Sequence, residues 1–394
     1  MNILIVGGDW NLVDGKPSYF IQEMANWLNF RCAVTCYNGG NYNQLPEILE
    51  SCVNYDTVIW MANVPNDLPK VRNVKDVNKK VMLVTSKRND EDKYPLSQLI
   101  TRMLSSKSNL LLEFNKKLTG RYHFRVLDPL GNCWCNTTDF EDCVSLLYER
   151  LLYLYGVSRQ GVQHNIMLDS ICRDYSIFGI TDDIQEFVKL IREYGNVFQG
   201  LIQPDANTTR YLGNASYRCQ KGFPSFRGKN DIIFVSRRNI DKELMSPECF
   251  VPVTFSEYGE LLYGGQYKPS VDTPIQMRLY NLFPQVNYML HTHCYINNAP
   301  FTNRCIPCGG IEEVEEVWRT LYDFRTDDLL QVNLKGHGSI IMSKDVQGLK
   351  DIDYIRREMP EVQYTDSQLI QNYSDNILCC LTELTNKVQE GSIR

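Results

Sequence analysis

The sequence is poor in histidine, in net positive charge and in long apolar runs. Only 5 of its 394 residues are histidine, and the formal net charge is −6. A negative balance argues against a dedicated surface for nucleic acid or anionic membranes. No stretch has the apolar length of a membrane span, and the first apolar run is too short for a signal peptide. The sequence therefore predicts a cytoplasmic protein with neither a nucleic-acid nor a membrane partner.

The chain also lacks the composition of a disordered protein and the common nucleotide-binding motifs. Hydrophobic residues make up 43% and charged residues 22%, which is ordinary for globular domains. The glycine-containing segment GGDWNLVDGKPS matches neither the dinucleotide fingerprint nor a P-loop. Cysteine is not scarce, with 14 residues, and in a cytoplasmic protein we expect reduced thiols.

Strand and helix patterns alternate along the first part of the chain. Residues 2–8 and 56–64 are short β-branched runs typical of buried strands, whereas residues 18–30 and 139–156 have apolar residues at helical spacing. This alternation predicts a Rossmann-like α/β domain with a doubly wound, mostly parallel sheet. Ligands bind such sheets at the carboxyl ends of the strands, so a nucleotide is one candidate ligand of this domain.

The pattern changes after the long predicted helix. Residues 157–168 are polar and contain a glycine, which indicates a linker. A helical pattern then precedes several short strands separated by turns. We therefore predict a first domain over residues 1–156, a linker over 157–168 and a second α/β domain over 169–394.

Two of the few histidines lie one residue apart in NYMLHTHCYI, residues 287–296. Side chains at i and i+2 of a strand point to the same face, so His291 and His293 would present two imidazoles side by side. His337 lies between two glycines in LKGHGSIIM and could supply a third imidazole. A single histidine in a strand is more often structural, but three from separate segments favour a metal site.

From about residue 170 onward the sequence resembles the class II aldolase/adducin family. This family includes sugar-phosphate aldolases, an epimerase and a dehydratase. The resemblance implies an α/β/α fold with a mainly antiparallel central sheet. Four segments carry it in the family's order: LGNASYR (212–218), IIFVSRRNIDKELMSPECFVPV (232–253), KPSVDTPIQMRLYNLFPQVNYMLHTHCYI (268–296) and LKGHGSIIM (334–342).

The resemblance implies that a divalent metal ion, usually zinc, binds His291, His293 and His337. It also implies that Asp272, which stands where the family has a glutamate, acts as an acid or base. A Lewis-acidic ion would hold the oxygens of a ketose phosphate and stabilise an enediolate, while the carboxylate moves protons. The alternative role for Asp272 is that of a helix N-cap, because Thr-Pro follows it.

The resemblance further implies a phosphate cradle. Gly213, Asn214 and Ser270 match the family's pattern, whereas Arg238 replaces a small residue and Arg237 adjoins it. Guanidinium groups would bind an anion in place of hydroxyl groups. The same change is also compatible with a site that binds no sugar phosphate.

Together with the three histidines, the resemblance implies a metal-dependent lyase of the class II aldolase type that acts on a phosphorylated sugar or a related carbonyl substrate. Two alternatives stay open at this point. One is a non-catalytic, adducin-like binding or scaffold protein. The other is a bifunctional protein with a nucleotide-binding first domain. The resemblance also implies a homo-oligomer.

Overall fold

The structure, a computed structural model, describes residues 1–64, 71–164, 167–168, 182–201, 210–218, 232–255, 259, 261–357, 359–365 and 367–368. They form two eight-stranded sheets and one two-stranded sheet. None of the helices in these ranges combines the length and the apolar character needed to cross a membrane.

The first sheet contains most of the strands of the N-terminal part. They are β1 (Asn2–Asn11), β2 (Ala33–Asn41), β3 (Thr57–Trp60), β4 (Met82–Arg88), β5 (Leu110–Lys116), β6 (Tyr122–Leu127), β7 (Asn132–Thr137) and, from far along the chain, β18 (Glu361–Val362). The strand order is β18-β7-β6-β5-β4-β3-β1-β2. Strands β2, β1, β3, β4 and β5 pair in parallel, and β5, β6 and β7 pair antiparallel.

Apolar residues on both faces of the central strands explain the helical layers. Ile3 and Ile5 pack with one set of helices, whereas Leu4 and Val6 pack with the other. Strands buried on both faces are continuous apolar runs of this kind. The predicted doubly wound, mostly parallel sheet is therefore confirmed. The helices are α1 (Tyr19–Asn29), α2 (Leu45–Ser51), α3 (Arg72–Val77), α4 (Leu96–Ser106) and α5 (Phe140–His164).

The structure also contains elements that the spacing of apolar residues in the sequence does not indicate. These are the short helix α3 and the hairpin of β6 and β7. Helix α5 continues to His164, through much of the segment predicted as a linker, and β8 (Met167–Leu168) joins the second sheet. Residues 165–166 and 169–181, next to the predicted domain boundary, lie outside the described residues.

The second sheet confirms the expected mainly antiparallel architecture. Besides β8, its strands are β9 (Asn214–Arg218), β10 (Ile233–Ser236), β11 (Phe250–Phe255), β12 (Leu261–Tyr263), β13 (Tyr288–Thr292), β15 (Leu329–Leu334) and β16 (Gly338–Ser343). They follow the order β15-β16-β13-β9-β10-β11-β12-β8. Within this second sheet, β12 and β8 are the one pair of described strands that runs parallel.

Helices cover both faces of this second sheet. Helices α6 (Asp182–Glu193) and α7 (Gly195–Gln199) pack on one face, and α8 (Thr273–Leu282) and α9 (Glu313–Leu321) pack on the other. The small third sheet consists of β14 (Tyr295–Ile296) and β17 (Tyr354–Ile355).

The register of the second sheet brings distant motifs together. His291 on β13 lies opposite Asn214 on β9 and opposite Ile340 on β16. The LGNASYR, HTHC and LKGHG segments therefore meet at one end of three adjacent strands. This end carries the candidate site.

Candidate metal centre

His291, His293 and His337, which we call the metal triad, converge at this end of the sheet. His291 lies within β13, His293 directly follows that strand, and His337 lies in the turn between β15 and β16. Each offers one ring nitrogen, and these three atoms all lie within 4.8 Å of one another. All three side chains are buried. The structure thus brings together the three histidines that the sequence singles out.

In two of the rings, a hydrogen bond at Nδ1 orients the opposite nitrogen, Nε2, toward the centre of the metal triad. Nδ1 of His291 lies 3.1 Å from the carbonyl oxygen of Ser339, and Nδ1 of His337 lies 3.1 Å from Oε2 of Glu313. A ring that donates its Nδ1–H has a free lone pair on Nε2. Both Nε2 atoms are buried and have no hydrogen-bond partner among the described residues. Because buried polar atoms are normally paired, this arrangement favours a bound ion.

The environment sets the charge state of each ring. Burial lowers the pKa of His291 and lowers that of His293 well below its usual value, and the neighbouring His337 adds to both effects. Burial also acts to lower the pKa of His337, but the carboxylates of Glu313 and Asp272 act against it, and the net effect raises that pKa. Metals bind neutral imidazole. His291 and His293 are therefore held in the form that binds a metal.

Asp272 occupies the N-cap position of α8. Among the described residues, however, its carboxylate accepts no capping hydrogen bond from the backbone of that helix. Instead, Oδ2 accepts a 2.7 Å hydrogen bond from Nδ2 of Asn214 and lies 4.0 Å from Nε2 of His291. The side chain is almost fully buried. Its carboxylate therefore faces the metal triad.

The residues predicted for the phosphate cradle lie beside this carboxylate. Nδ2 of Asn214 also donates to Oγ of Ser270 at 3.1 Å. Gly213 directly precedes Asn214, and a Cβ atom on Gly213 would lie 2.6 Å from the carbonyl oxygen of His291. Gly213, Asn214 and Ser270 thus form one cluster with the acid candidate.

The two predicted arginines differ in their surroundings. Arg238 lies near enough to Asp272 for their charges to interact. The guanidinium of Arg237 lies over the ring of Tyr267, 4.6 Å from its centroid. Only Arg238 has a described interaction with a residue beside the metal triad.

Glu313, the partner of His337, was not among the predicted site residues. The buried residues of α9 are Glu313, Glu316, Val317 and Leu321, so two carboxylates share the apolar face of this helix. Glu316 is paired with Arg304 at 2.8 Å, which leaves Glu313 for the metal triad. In an amphipathic helix, a carboxylate at a position where the spacing predicts an apolar core residue is the signal that could have revealed it.

Two further side chains near the site were also missed. Sγ of Cys308 lies 3.5 Å from Oδ1 of Asp272. Nζ of the buried Lys242 donates to the carbonyl oxygens of Leu212 and Ile240, both at 3.0 Å. Lys242 therefore holds the backbone just before the cradle. Nothing in the local sequence distinguishes this lysine from a surface one.

Comparisons with known proteins agree with these motifs. Residues 204–347 match the family model described as Class II Aldolase and Adducin N-terminal domain. A methylthioribulose-1-phosphate dehydratase from Picosynechococcus sp. is 39% identical over 70 residues, which are 18% of this chain and 32% of the relative. The chain thus matches about a third of that relative's length.

Two solved structures are distantly similar. L-fuculose 1-phosphate aldolase has a TM-score of 0.31 and 13% identity, over 44% of this chain and 80% of that one. A DNA/pantothenate metabolism flavoprotein from Streptococcus pneumoniae has a TM-score of 0.32 and 13% identity, over 39% of this chain and 99% of that one. The family model spans the whole metal triad, Asp272 and the predicted cradle. Residues 204–347 of this chain are therefore similar to the Class II Aldolase and Adducin N-terminal domain.

Proposed function

We propose that this protein is a metal-dependent lyase of the class II aldolase type that acts on a phosphorylated sugar or a related carbonyl compound. The observation that carries the proposal is the metal triad with its two orphaned Nε2 atoms. Three imidazole ligands with a fourth position free for water or substrate are typical of catalytic zinc. Zn²⁺ is therefore the ion we propose for His291, His293 and His337.

A divalent ion at this place would supply Lewis acidity toward carbonyl or hydroxyl oxygens of the substrate. We assign the proton transfer to Asp272. The hydrogen bond from Asn214 fixes the orientation of its carboxylate, and burial keeps bulk water from competing for the proton. A positioned carboxylate of this kind accepts a proton from the substrate and returns it to the product.

We propose that Gly213, Asn214 and Ser270 contact the phosphate of the substrate. Arg238 would supply a positive charge to the same group, since it lies on the Asp272 side of the site. Arg237 is a weaker candidate because its guanidinium already stacks on Tyr267. Replacing hydroxyl groups by one guanidinium would retain anion binding with a different geometry.

No observation favours a nucleotide at the carboxyl edge of β1 and β2. The loop after β1 folds back onto this edge, where Asp9 N donates to Lys16 O at 2.8 Å and Gly15 N donates to Gly40 O at 3.0 Å. A Cβ atom on Gly39 would lie 2.6 Å from the carbonyl of Lys16.

The first test is the metal content per chain, measured by mass spectrometry after reconstitution with zinc. We expect about one ion per chain in the wild type and a loss of that ion in His291→Ala. His123→Ala is the matched control, because His123 lies on β6 of the first sheet, and it should keep the ion. A wild type that binds no divalent ion would refute the metal centre and favour the scaffold alternative.

The second test uses the metal-loaded protein with a panel of ketose phosphates and aldose phosphates. Turnover of at least one compound should be present in the wild type and in His123→Ala, and lost in His293→Ala. A metal-loaded protein that is inactive toward the whole panel would contradict the proposed substrate class.

A further inference from the structure

The turn that carries His337 is supported from outside its own sheet. Gly336, the residue before it, has a left-handed backbone with φ 70. Its N–H donates to Oη of Tyr295 at 2.9 Å, and its carbonyl oxygen accepts a 2.7 Å hydrogen bond from Nδ2 of Asn132. Asn132 is the first residue of β7 in the first sheet. The first domain therefore holds the backbone next to the third histidine.

The space around Gly336 is closed. A Cβ atom there would lie 2.5 Å from Oδ1 of Asn132, 2.7 Å from Sγ of Cys305 and 2.9 Å from Nε2 of Gln363. Any side chain would also be strained by the left-handed backbone. The turn thus has little room to shift while Asn132 stays in place.

Asn132 is itself held firmly. It is fully buried, and its Nδ2 donates to Oδ2 of Asp128 at 2.9 Å as well as to Gly336. Asp128 in turn accepts a hydrogen bond from Nε1 of Trp134 at 2.9 Å. Both donor hydrogens of the Asn132 amide therefore have a partner. The position of the Gly336 carbonyl follows from the geometry of the first domain.

A second bridge joins the same two regions. Nη2 of Arg357 donates to the carbonyl oxygen of Leu130 at 2.6 Å and to that of His337 at 3.4 Å. The side chain of Arg357 is only 7% exposed. Its guanidinium thus links the loop before β7 to the backbone of His337, one residue of the metal triad.

We propose that the first domain is a structural part of the metal centre, and that Asn132 is a positioning residue for His337. The proposal rests on the metal centre proposed above. The family match begins at residue 204, so Asn132 lies outside the aldolase-type domain itself. Metal ligands must be held to within about half an ångström of the productive geometry. Asn132 supplies this restraint through the carbonyl of Gly336.

Cobalt binding to the full chain tests this role, because the visible absorption of Co²⁺ reports the ligand geometry directly. Asn132→Ala removes the hydrogen bond to Gly336, and Asn132→Asp replaces the donor by an acceptor of nearly the same shape. We expect both variants to bind Co²⁺ about 10-fold more weakly, with an altered absorption band. A purely structural role would change the melting temperature and leave the band unchanged.

Asn89→Ala is the matched control. Asn89 is also a fully buried asparagine of the first domain, and its amide donates to the carbonyl of Tyr94 at 3.1 Å and to Glu113. This variant should lose stability but keep the affinity and the band of the wild type. Folded Asn132 variants with wild-type affinity and band would overturn the proposal.

If both Asn132 variants fail to fold, Arg357→Gln tests the same inference, since it removes the second bridge. A folded Arg357→Gln protein should have an altered band, and an unchanged one would overturn the proposal. The behaviour of the wild type separates the metal centre from the positioning role of Asn132. A wild type that binds neither Co²⁺ nor Zn²⁺ refutes the metal centre and this inference with it. If the wild type binds metal and the folded variants keep its affinity and its absorption band, only the positioning role is refuted.

Discussion

Replacing Lys242 by methionine should remove a pH-dependent cost to the stability of the fold. Lys242 is 3% exposed, and its ammonium group donates to two carbonyl oxygens beside the cradle. Burial lowers the pKa of this group from 10.5 to about 7, and the carboxylates of Asp241 and Asp272 offset only part of that effect. The folded chain thus loses this proton far more readily than the unfolded chain does.

The sign of the effect follows from proton linkage. Between about pH 7 and pH 10.5 the unfolded state binds more protons at Lys242 than the folded state, so the free energy of unfolding rises with pH in this window. The cost is fully present below pH 7 and disappears as the pH approaches 10.5. One pKa unit corresponds to about 1.4 kcal/mol. The part recovered between pH 7 and pH 9 is then roughly 2 kcal/mol.

The assay is guanidinium unfolding at pH 7 and pH 9, with a chelator to remove metal and a reductant to protect the thiols. Between pH 7 and pH 9, the unfolding free energy of the wild type should rise by about 2 kcal/mol more than that of Lys242→Met. Lys344→Met is the control, because the side chain of Lys344 is 56% exposed, and it should follow the wild type. If the unfolding free energy of Lys242→Met has the same pH dependence as that of the wild type, this prediction is refuted.

Three further predictions concern the site. Glu313→Gln removes the charge that stabilises the Nδ1–H of His337, so zinc should bind about 10-fold more weakly in competition with a chromophoric chelator; unchanged affinity would contradict this. Asp272→Asn should keep the metal content but lower kcat by at least about 100-fold, and full activity would remove its assigned role. Gly213→Ala should lower the melting temperature more than Gly120→Ala. Both glycines have positive φ, but a Cβ atom on Gly120 would have no described atom within 4 Å; equal shifts would show that backbone strain alone matters.

Local periodicity was sufficient to predict most of the regular elements of the first sheet and its helices. The apolar run at residues 2–8 predicts β1, and the helical spacing at residues 18–30 predicts α1, because both signals depend on near neighbours in the chain. The same argument placed His291 and His293 side by side. The order of the four family motifs then indicated that His337 would join them. These conclusions required no knowledge of how the elements pack.

The role of Asp272 could not be determined in this way. Its local sequence is that of a helix N-cap, and it does occupy that position. Its carboxylate nevertheless pairs with Asn214, which is 58 residues away in the chain. This hydrogen bond depends on the register of β9 and β10, and on the segment before α8, where the N–H of Ser270 donates to the carbonyl oxygen of Ser236 on β10. No local pattern records that register.

The sequence by itself therefore determined most strands and helices of the first sheet and the three histidines, since each follows from short-range spacing or from an ordered set of motifs. Only the tertiary structure decided that β18 crosses to the first sheet, that Glu313 pairs with His337, and that Asn132 contacts the turn before this histidine. The physical reason is that these contacts join segments that meet only when the helices and sheets have packed together. Their geometry is set by the whole fold, and the individual residues resemble ordinary polar residues of a strand or helix.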